Sequence, residues 1–345
     1  MKALSSRPAP AREPTIYQVA QQAGVSIATV SRVLRGTARV APDTRERVQA
    51  AVDDLRFTPS RSARSLAEGQ HAAAGIVFPD LSGPYFAEVV LGYEEVAAEQ
   101  GRSVLILSTH GREAAREMVL DLAARVDGLV VLGRTVGDDV LADLAHRGLP
   151  LVLMARDAIP GADSVTTENE VSASALTHHL VSDHGYDSLA FLGDAATSTD
   201  ASARWQGFRQ ALHNAGVPAP PAPTPCAFDE DGGRVAAARL LRAARPRALM
   251  CANDEIALGA ITAAEELGLR VPADLAVTGW DDVMAARHAR PGLTTVRQPM
   301  RELGAWAARR LHDRLAGDAS GPRHEVLPTQ LVRRASCGHH PEEMR

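Results

Sequence analysis

From about residue 74 onward the chain repeats one pattern, an apolar run of four to six residues followed by an amphipathic stretch of 12–16. The runs lie at Gly75–Pro79, Val104–Leu107, Gly128–Leu132, Leu149–Met154, Leu189–Leu192, Ala248–Cys251 and Leu275–Gly279. The stretches between them include Phe86–Gln100, Ala114–Arg125, Val171–His184, Ala203–Ala215, Gly233–Ala244 and Glu255–Leu267. Runs that are apolar throughout, rather than alternating, are strands buried on both faces, and the intervening helices supply the cover. The pattern predicts an α/β body of parallel sheet. It holds more units than one sheet takes comfortably, so the body divides into two doubly wound halves. Pro218–Pro225 reads as a loop inside the second half.

The first 70 residues have a different texture. Residues 1–14, rich in Pro, Ser and Arg, predict a disordered tail. In 15–36, Ile16, Val19, Ala20 and Ala23 share one helical face, Gly24-Val25 breaks the helix and Ser26 caps a second one. The second helix turns Val30, Val33 and Leu34 inward and Ile27, Ala28, Thr29, Ser31 and Arg32 outward. Helix, short turn, helix is a DNA-binding arrangement. Arg32 can pair bidentately with guanine, and Ile27 and Ala28 can touch a thymine methyl. A third helix over Asp43–Leu55 follows, with Pro42 in its first turn and Asp43/Glu46 placed as a capping pair. Ser60–Gly69 is two turns of capped helix, too short to stand alone. Charge agrees with this division. Residues 1–70 carry eleven basic and six acidic side chains, whereas the whole chain carries 37 and 42. A basic head on an acidic body suits a polyanion at one end only.

The order and spacing of these motifs resemble the lactose-repressor (LacI/GalR) family of bacterial transcription regulators. The resemblance is carried by Val19-Ala20, Ala23-Gly24-Val25-Ser26, Thr29-Val30-Ser31-Arg32-Val33-Leu34, Gly36, Thr44-Arg45-Glu46-Arg47-Val48 and Ala63-Arg64-Ser65-Leu66. It implies that Ser26, Ile27, Ala28 and Arg32 read bases, and that Tyr17, Thr29, Ser31 and Arg39 contact phosphate or base edges. Arg35, where the family commonly has Asn, adds a phosphate contact. Residues 60–70 become a hinge helix, with Leu66 wedged between base steps and Arg64 beside it. Gln18 stands in place of the usual Asp, Ala41 in place of the Ser cap, and Ser60 in place of Asn.

The same resemblance runs on to about Ser336, through Pro79–Phe86, Arg125–Leu129, Ala203–Phe208, Cys251–Asp254, Gly279–Asp282 and Leu293–Pro299. It implies a periplasmic-binding-protein-like body whose two subdomains hold a small molecule in the cleft between them. Asp80, Arg204, Asn253, Asp281 and Gln298 supply groups that suit a polyol, and Tyr85, Phe86, Phe228 and Trp280 a stacking face. Arg156, after the Leu149–Met154 run, is a further cleft candidate, and the role of Glu168-Asn169 stays open. Pentose, hexose, disaccharide, nucleoside and phosphorylated metabolite all remain possible ligands.

The resulting organisation is a tail (1–14), a helix-turn-helix domain (15–59), a hinge helix (60–70), an effector-binding and dimerisation body (71–336) and a C-terminal tail (337–345). The fold class is α/β with an all-α head. The partners implied are double-stranded operator DNA, a small-molecule effector, most readily a carbohydrate, and a second copy of the chain. The chain contains no phosphate-binding, dinucleotide, zinc-protease or serine-hydrolase motif, so no enzyme, cofactor or metal is expected. His178-His179 reads as surface and Cys337-Gly338-His339-His340 as tail. With no apolar segment near the roughly 20 residues of a bilayer span, no apolar leader and three scattered cysteines, the expected location is the cytoplasm. A plain solute-binding protein would explain the body but not residues 15–69. An enzyme with a nucleic-acid-binding appendage would need a catalytic constellation.

Overall fold

The computed structural model describes residues 14–35, 40–57 and 71–339. The expectations for Arg39, Arg64, Leu66, the side chain of Arg35 and the hinge helix fall outside these residues. The chain forms two units, Met1–His71 and Ala72–Arg345.

In the first unit, α1 (Ile16–Ala23), α2 (Ile27–Arg35) and α3 (Pro42–Leu55) surround a small core of Val19, Ala20, Ala23, Val30, Val33, Val48 and Ala51. Gly24 ends α1 at φ 65, the left-handed conformation that reverses the chain toward α2. Ser26 Oγ accepts the Thr29 backbone N–H at 3.2 Å and caps α2. Gln18 Oε1 accepts the Thr15 N–H at 2.8 Å, so the Gln in place of Asp closes a capping box. The capping pair expected at Asp43/Glu46 does not form. The helix starts one residue earlier at Pro42 behind Ala41, which has no side chain to cap it, and Asp43 lies 3.8 Å from Arg47 instead.

The second unit contains two subdomains. The first is built by β1 (Ala73–Phe78), α4 (Pro84–Glu99), β2 (Ser103–Ser108), α5 (Ala115–Ala123), β3 (Gly128–Leu132), α6 (Asp138–His146), β4 (Leu151–Met154) and β5 (Asp163–Thr167). The second comprises α7 (Glu170–His178), β6 (Leu189–Leu192), α8 (Thr199–Asn214), α9 (Glu230–Ala243), β7 (Ala248–Cys251), α10 (Asp254–Glu266), β8 (Ala276–Thr278), α11 (Met284–His288) and β9 (Thr295–Arg297). The chain then returns to the first through α12 (Met300–Leu315) and β10 (His324–Leu327), and crosses again to β11 (Gln330–Val332), which pairs antiparallel with β9.

The first sheet is parallel throughout, in the order β10-β5-β4-β3-β1-β2. The second is β6-β7-β8, extended at its edges by single bridges from Leu192 to Thr224 and from Thr278 to Thr294. In each sheet the order reverses beside the first strand, between β1 and β3 and between β6 and β7. A crevice opens at the carboxyl ends of strands at such a reversal, and ligands bind there. Helix pairs cover the sheets at close range. A Cβ on Gly92 of α4 would meet the Arg301 carbonyl oxygen at 2.0 Å, and one on Gly304 of α12 the Val89 carbonyl oxygen at 2.0 Å. Any larger residue would force these two helices apart.

Two expectations are corrected here. Cys337, assigned to a tail, is fully buried in the short turn Ala335–Cys337. His179, assigned to the surface, is 2% exposed, because α7 widens into a π-turn over His179–Asp183 that rotates the side chain inward.

Candidate functional site

On the head, the outward side of α2 presents Ile27, Ala28 and Arg32 to solvent, with Thr29 and Ser31 half-buried at its margins. Tyr17, on α1, is 69% exposed. An isolated apolar side chain at a surface is ordinary. Ile27 beside Ala28 and Arg32 is less so, because a surface that must read base edges needs apolar as well as charged groups. Ser26 Oγ is tied to the start of α2, also lying 2.9 Å from Thr29 Oγ1, so its place is fixed by the cap.

In the body, loops from the carboxyl ends of β1, β3, β4, β6, β7 and β8 converge on a cleft of about 410 Å³. Asp80, Tyr85, Phe86, Arg204, Phe228, Asn253, Asp281 and Gln298 all line it. The first subdomain contributes mainly apolar surface: Pro79, Tyr85, Phe86 and Leu132, with the Tyr85 and Phe86 rings edge to face at 5.3 Å. The second contributes helix N-termini. Ser198, Asp229 and Asn253 are the caps of α8, α9 and α10, each accepting a backbone N–H of its own helix.

Arg204 organises the floor. Its Nε donates to Asn169 Oδ1 at 2.8 Å and one terminal nitrogen to the Ala252 carbonyl at 2.6 Å; the other lies 3.7 Å from Asp200. The guanidinium also sits 4.4 Å over the Trp280 ring. Asn169 donates to Asp200 at 3.1 Å, and Thr167 donates to Gln298 Oε1 at 2.7 Å. Gln298 in turn donates to Asp281. A continuous chain of hydrogen bonds therefore crosses the cleft floor, holding each polar group in place before any ligand arrives. Asp281 and Asp282 have φ of 119° and 60°, a strained pair for non-glycine residues that turns the Asp281 carboxylate toward the cleft. Asp282 is anchored behind it by Arg297 at 2.7 Å and by Arg334.

The carboxylates are crowded. Burial raises Asp281 to about 7 and Glu255 to about 7, the latter also opposed by the Asp281 charge. Asp200 is likewise raised by burial, against the pull of Arg204. Asp80 behaves oppositely: burial works against its charge, but the Ser82 and Leu81 backbone N–H groups outweigh it and lower the pKa.

Two sequence candidates lie elsewhere. Arg156 follows β4 as expected, but its guanidinium folds back to the Gly133 and Val136 carbonyls at 3.0 and 3.2 Å and to Asp138, bracing the loop before α6. Trp280 is completely buried and acts as the platform under Arg204 rather than as cleft lining. Asp200, Glu255 and Arg134 line the cleft and were not singled out from sequence. Asp200 carried a usable signal, an acid four residues before Arg204 on one helix. Glu168, left open, accepts the Val171 and Ser172 backbone N–H groups at 2.8 and 2.7 Å at the start of α7.

Among the described residues no helix is long and apolar enough to cross a membrane. Residues 15–60 match the model of bacterial regulatory proteins of the lacI family, and residues 177–337 match the periplasmic binding protein-like domain. The HTH-type transcriptional repressor PurR of Yersinia pestis (strain Pestoides F) is 34% identical over 334 residues, 95% of this chain and 98% of the relative. The structure of the lac repressor dimer bound to operator and the anti-inducer ONPF superposes with a TM-score of 0.84 at 31% identity, covering 95% of this chain and 100% of that one. A complex of the transcriptional regulator CelR with cellobiose gives 0.71 at 31% identity, covering 94% and 99%. The helix-turn-helix head, the doubly wound body and likeness across nearly the whole length lead to one conclusion: this chain belongs to the lacI family of DNA-binding transcriptional regulators.

Proposed function

We propose that this regulator is a cytoplasmic repressor that binds a pseudo-palindromic operator as a dimer and is controlled by a neutral carbohydrate in the cleft. The observation that carries the ligand class is the charge of the lining. Five carboxylates (Asp80, Asp200, Asp229, Glu255, Asp281) face two guanidiniums, Arg134 and Arg204, and Arg204 is already engaged on three sides. Arg134 is likewise engaged, with the Ala196 carbonyl and Asp157, so the lining offers a phosphate no uncommitted cation and suits hydroxyl donors, with Tyr85, Phe86 and Phe228 to stack on a sugar's apolar face. The cellobiose complex of CelR supports the same class.

In this reading Arg32 pairs with guanine, and Ile27 and Ala28 meet a thymine methyl, on each half-site. Ser26 places these residues through its cap. Tyr17, Thr29, Ser31 and Arg39 contact phosphate or base edges, Arg35 adds a phosphate contact, and Leu66 wedges between base steps with Arg64 beside it, near the minor groove or the backbone. The operator complex of the lac repressor dimer supports the two-fold arrangement. A ligand that binds one relative orientation of the subdomains better than the other shifts their equilibrium, and coupling of about 1–3 kcal/mol per site transmits this to operator affinity.

Calorimetric titration with neutral mono- and disaccharides, nucleosides and sugar phosphates tests the ligand class. A neutral sugar is expected to bind, its phosphate ester is expected not to, and Arg204→Lys is expected to abolish binding. Preference for the phosphate ester would overturn the proposal, as would binding indifferent to Arg204.

A further inference from the structure

At the far end of the second subdomain, three side chains of metal-ligand type meet. His179 Nε2 and His184 Nε2 are 3.2 Å apart, and Cys337 Sγ lies 3.6 Å from the first and 3.7 Å from the second. Metal–nitrogen and metal–sulfur bonds of ~2.05 and ~2.3 Å at the tetrahedral angle give edges of ~3.3 Å between nitrogens and ~3.6 Å between nitrogen and sulfur. The observed triangle has nearly those dimensions.

We propose that His179, His184 and Cys337 together bind one divalent transition-metal ion of the zinc class, which clips the end of the chain to the second subdomain.

The backbone is arranged around this triangle. In an α-helix, residues five apart project about 140° from each other. The wider turn over His179–Asp183 brings His179 and His184 to one side, with their rings 4.7 Å apart. His179 Nδ1 donates to Asp183 Oδ2 at 2.6 Å, which places the Nε2 lone pair toward Cys337 and His184. A carboxylate behind a histidine ligand is the usual second support of a zinc site. The His184 ring stacks on Tyr186, whose hydroxyl donates to the Cys337 carbonyl at 2.9 Å. At Gly338, with φ 128°, a Cβ would lie 2.7 Å from His184 Nδ1, so a glycine lets the chain pass that ring. One thiolate and two imidazoles select zinc or cobalt over magnesium or calcium. On binding, Cys337 releases its thiol proton to solvent as the sulfur–metal bond forms, and no electrons are transferred. A groove lined by His178, His179, Asp183 and Arg333 gives access from solvent. Because His179 and Cys337 are 158 residues apart, the ion closes a long loop and fixes the end of the third crossing segment.

The test uses untagged full-length protein purified under reductant without chelator. Elemental analysis is expected to find one zinc per chain, and titration with Co²⁺ to give tetrahedral d–d bands and a thiolate charge-transfer band. Cys337→Ser is expected to remove the charge-transfer band and His184→Gln to lower cobalt affinity at least tenfold, while Cys226→Ser changes neither. Chelation is expected to lower Tm by about 5–10 °C at metal concentrations near a hundredfold above Kd. If Cys337→Ser does not fold, X-ray absorption of the zinc-loaded wild type decides the matter, with one sulfur and at least two imidazole nitrogens expected. Substoichiometric metal with no cobalt band, a band that persists in Cys337→Ser, or a shell without sulfur would overturn the proposal.

Discussion

The head and the body prepare their recognition groups in opposite ways. On α2, Ile27, Ala28 and Arg32 are exposed, and the backbone does the positioning through the Ser26 cap and the buried Val30 and Val33. In the cleft, Arg204 is buried and side chains do the positioning: Asn169, the Ala252 carbonyl, Asp200 and the Trp280 ring all hold it. A residue of the first kind can be replaced with loss of recognition alone. A residue of the second kind carries recognition and stability together.

That contrast can be broken by experiment. Arg204→Leu leaves Asp200 buried without its cation, and the body is expected to lose about 3–5 kcal/mol. Adding Asp200→Asn should restore part of this, and denaturant unfolding of the single and double variants measures the coupling. Arg32→Ala is expected to cost about 1–3 kcal/mol of operator affinity at unchanged body Tm. Equal loss on operator and unrelated DNA would make Arg32 a phosphate contact instead. Gln18→Ala removes half of the capping box, with about 1 kcal/mol expected from the head alone, visible as faster amide exchange at the start of α1.

The smallest effect concerns pH. Glu255 titrates at about 7 when folded, above the roughly 4.3 of a free glutamate, so its stabilising contribution is complete below that lower value and lost as pH rises through 7. Glu255→Gln is therefore expected to raise Tm at pH 8 by about 1–3 °C, discounted for partial exposure, and to flatten the decline between about pH 4.5 and 7. Asp281, also at about 7, has the same sign, so the decline shrinks without vanishing.

Much of the architecture is legible in the sequence because its strands are buried on both faces. Gly128–Leu132, Leu189–Leu192 and Ala248–Cys251 are apolar throughout and become β3, β6 and β7 with the same bounds. β5 and β9 to β11 give no such signal. β5 is Asp-Ser-Val-Thr-Thr, and its Asp163 is buried only because Arg310 and Arg314 of α12 reach it at 3.0 and 2.7 Å, from about 150 residues away. In the cleft, the loops after strands could be located, but side-chain direction could not. Arg156 sits at the right end of its strand and turns toward carbonyls that no local pattern reveals. His179 escaped for a similar reason: a helical reading of 171–184 has no place for the π-turn that buries it.

The most direct test of the central claim is a footprint of the full-length protein across the DNA upstream of its own coding sequence, at low salt, with and without neutral sugars. The account predicts a protected pseudo-palindrome whose protection one sugar alters, releasing it for an inducer or strengthening it for a co-repressor. No protection at low salt, or protection that every cleft-binding sugar leaves unchanged, would contradict it.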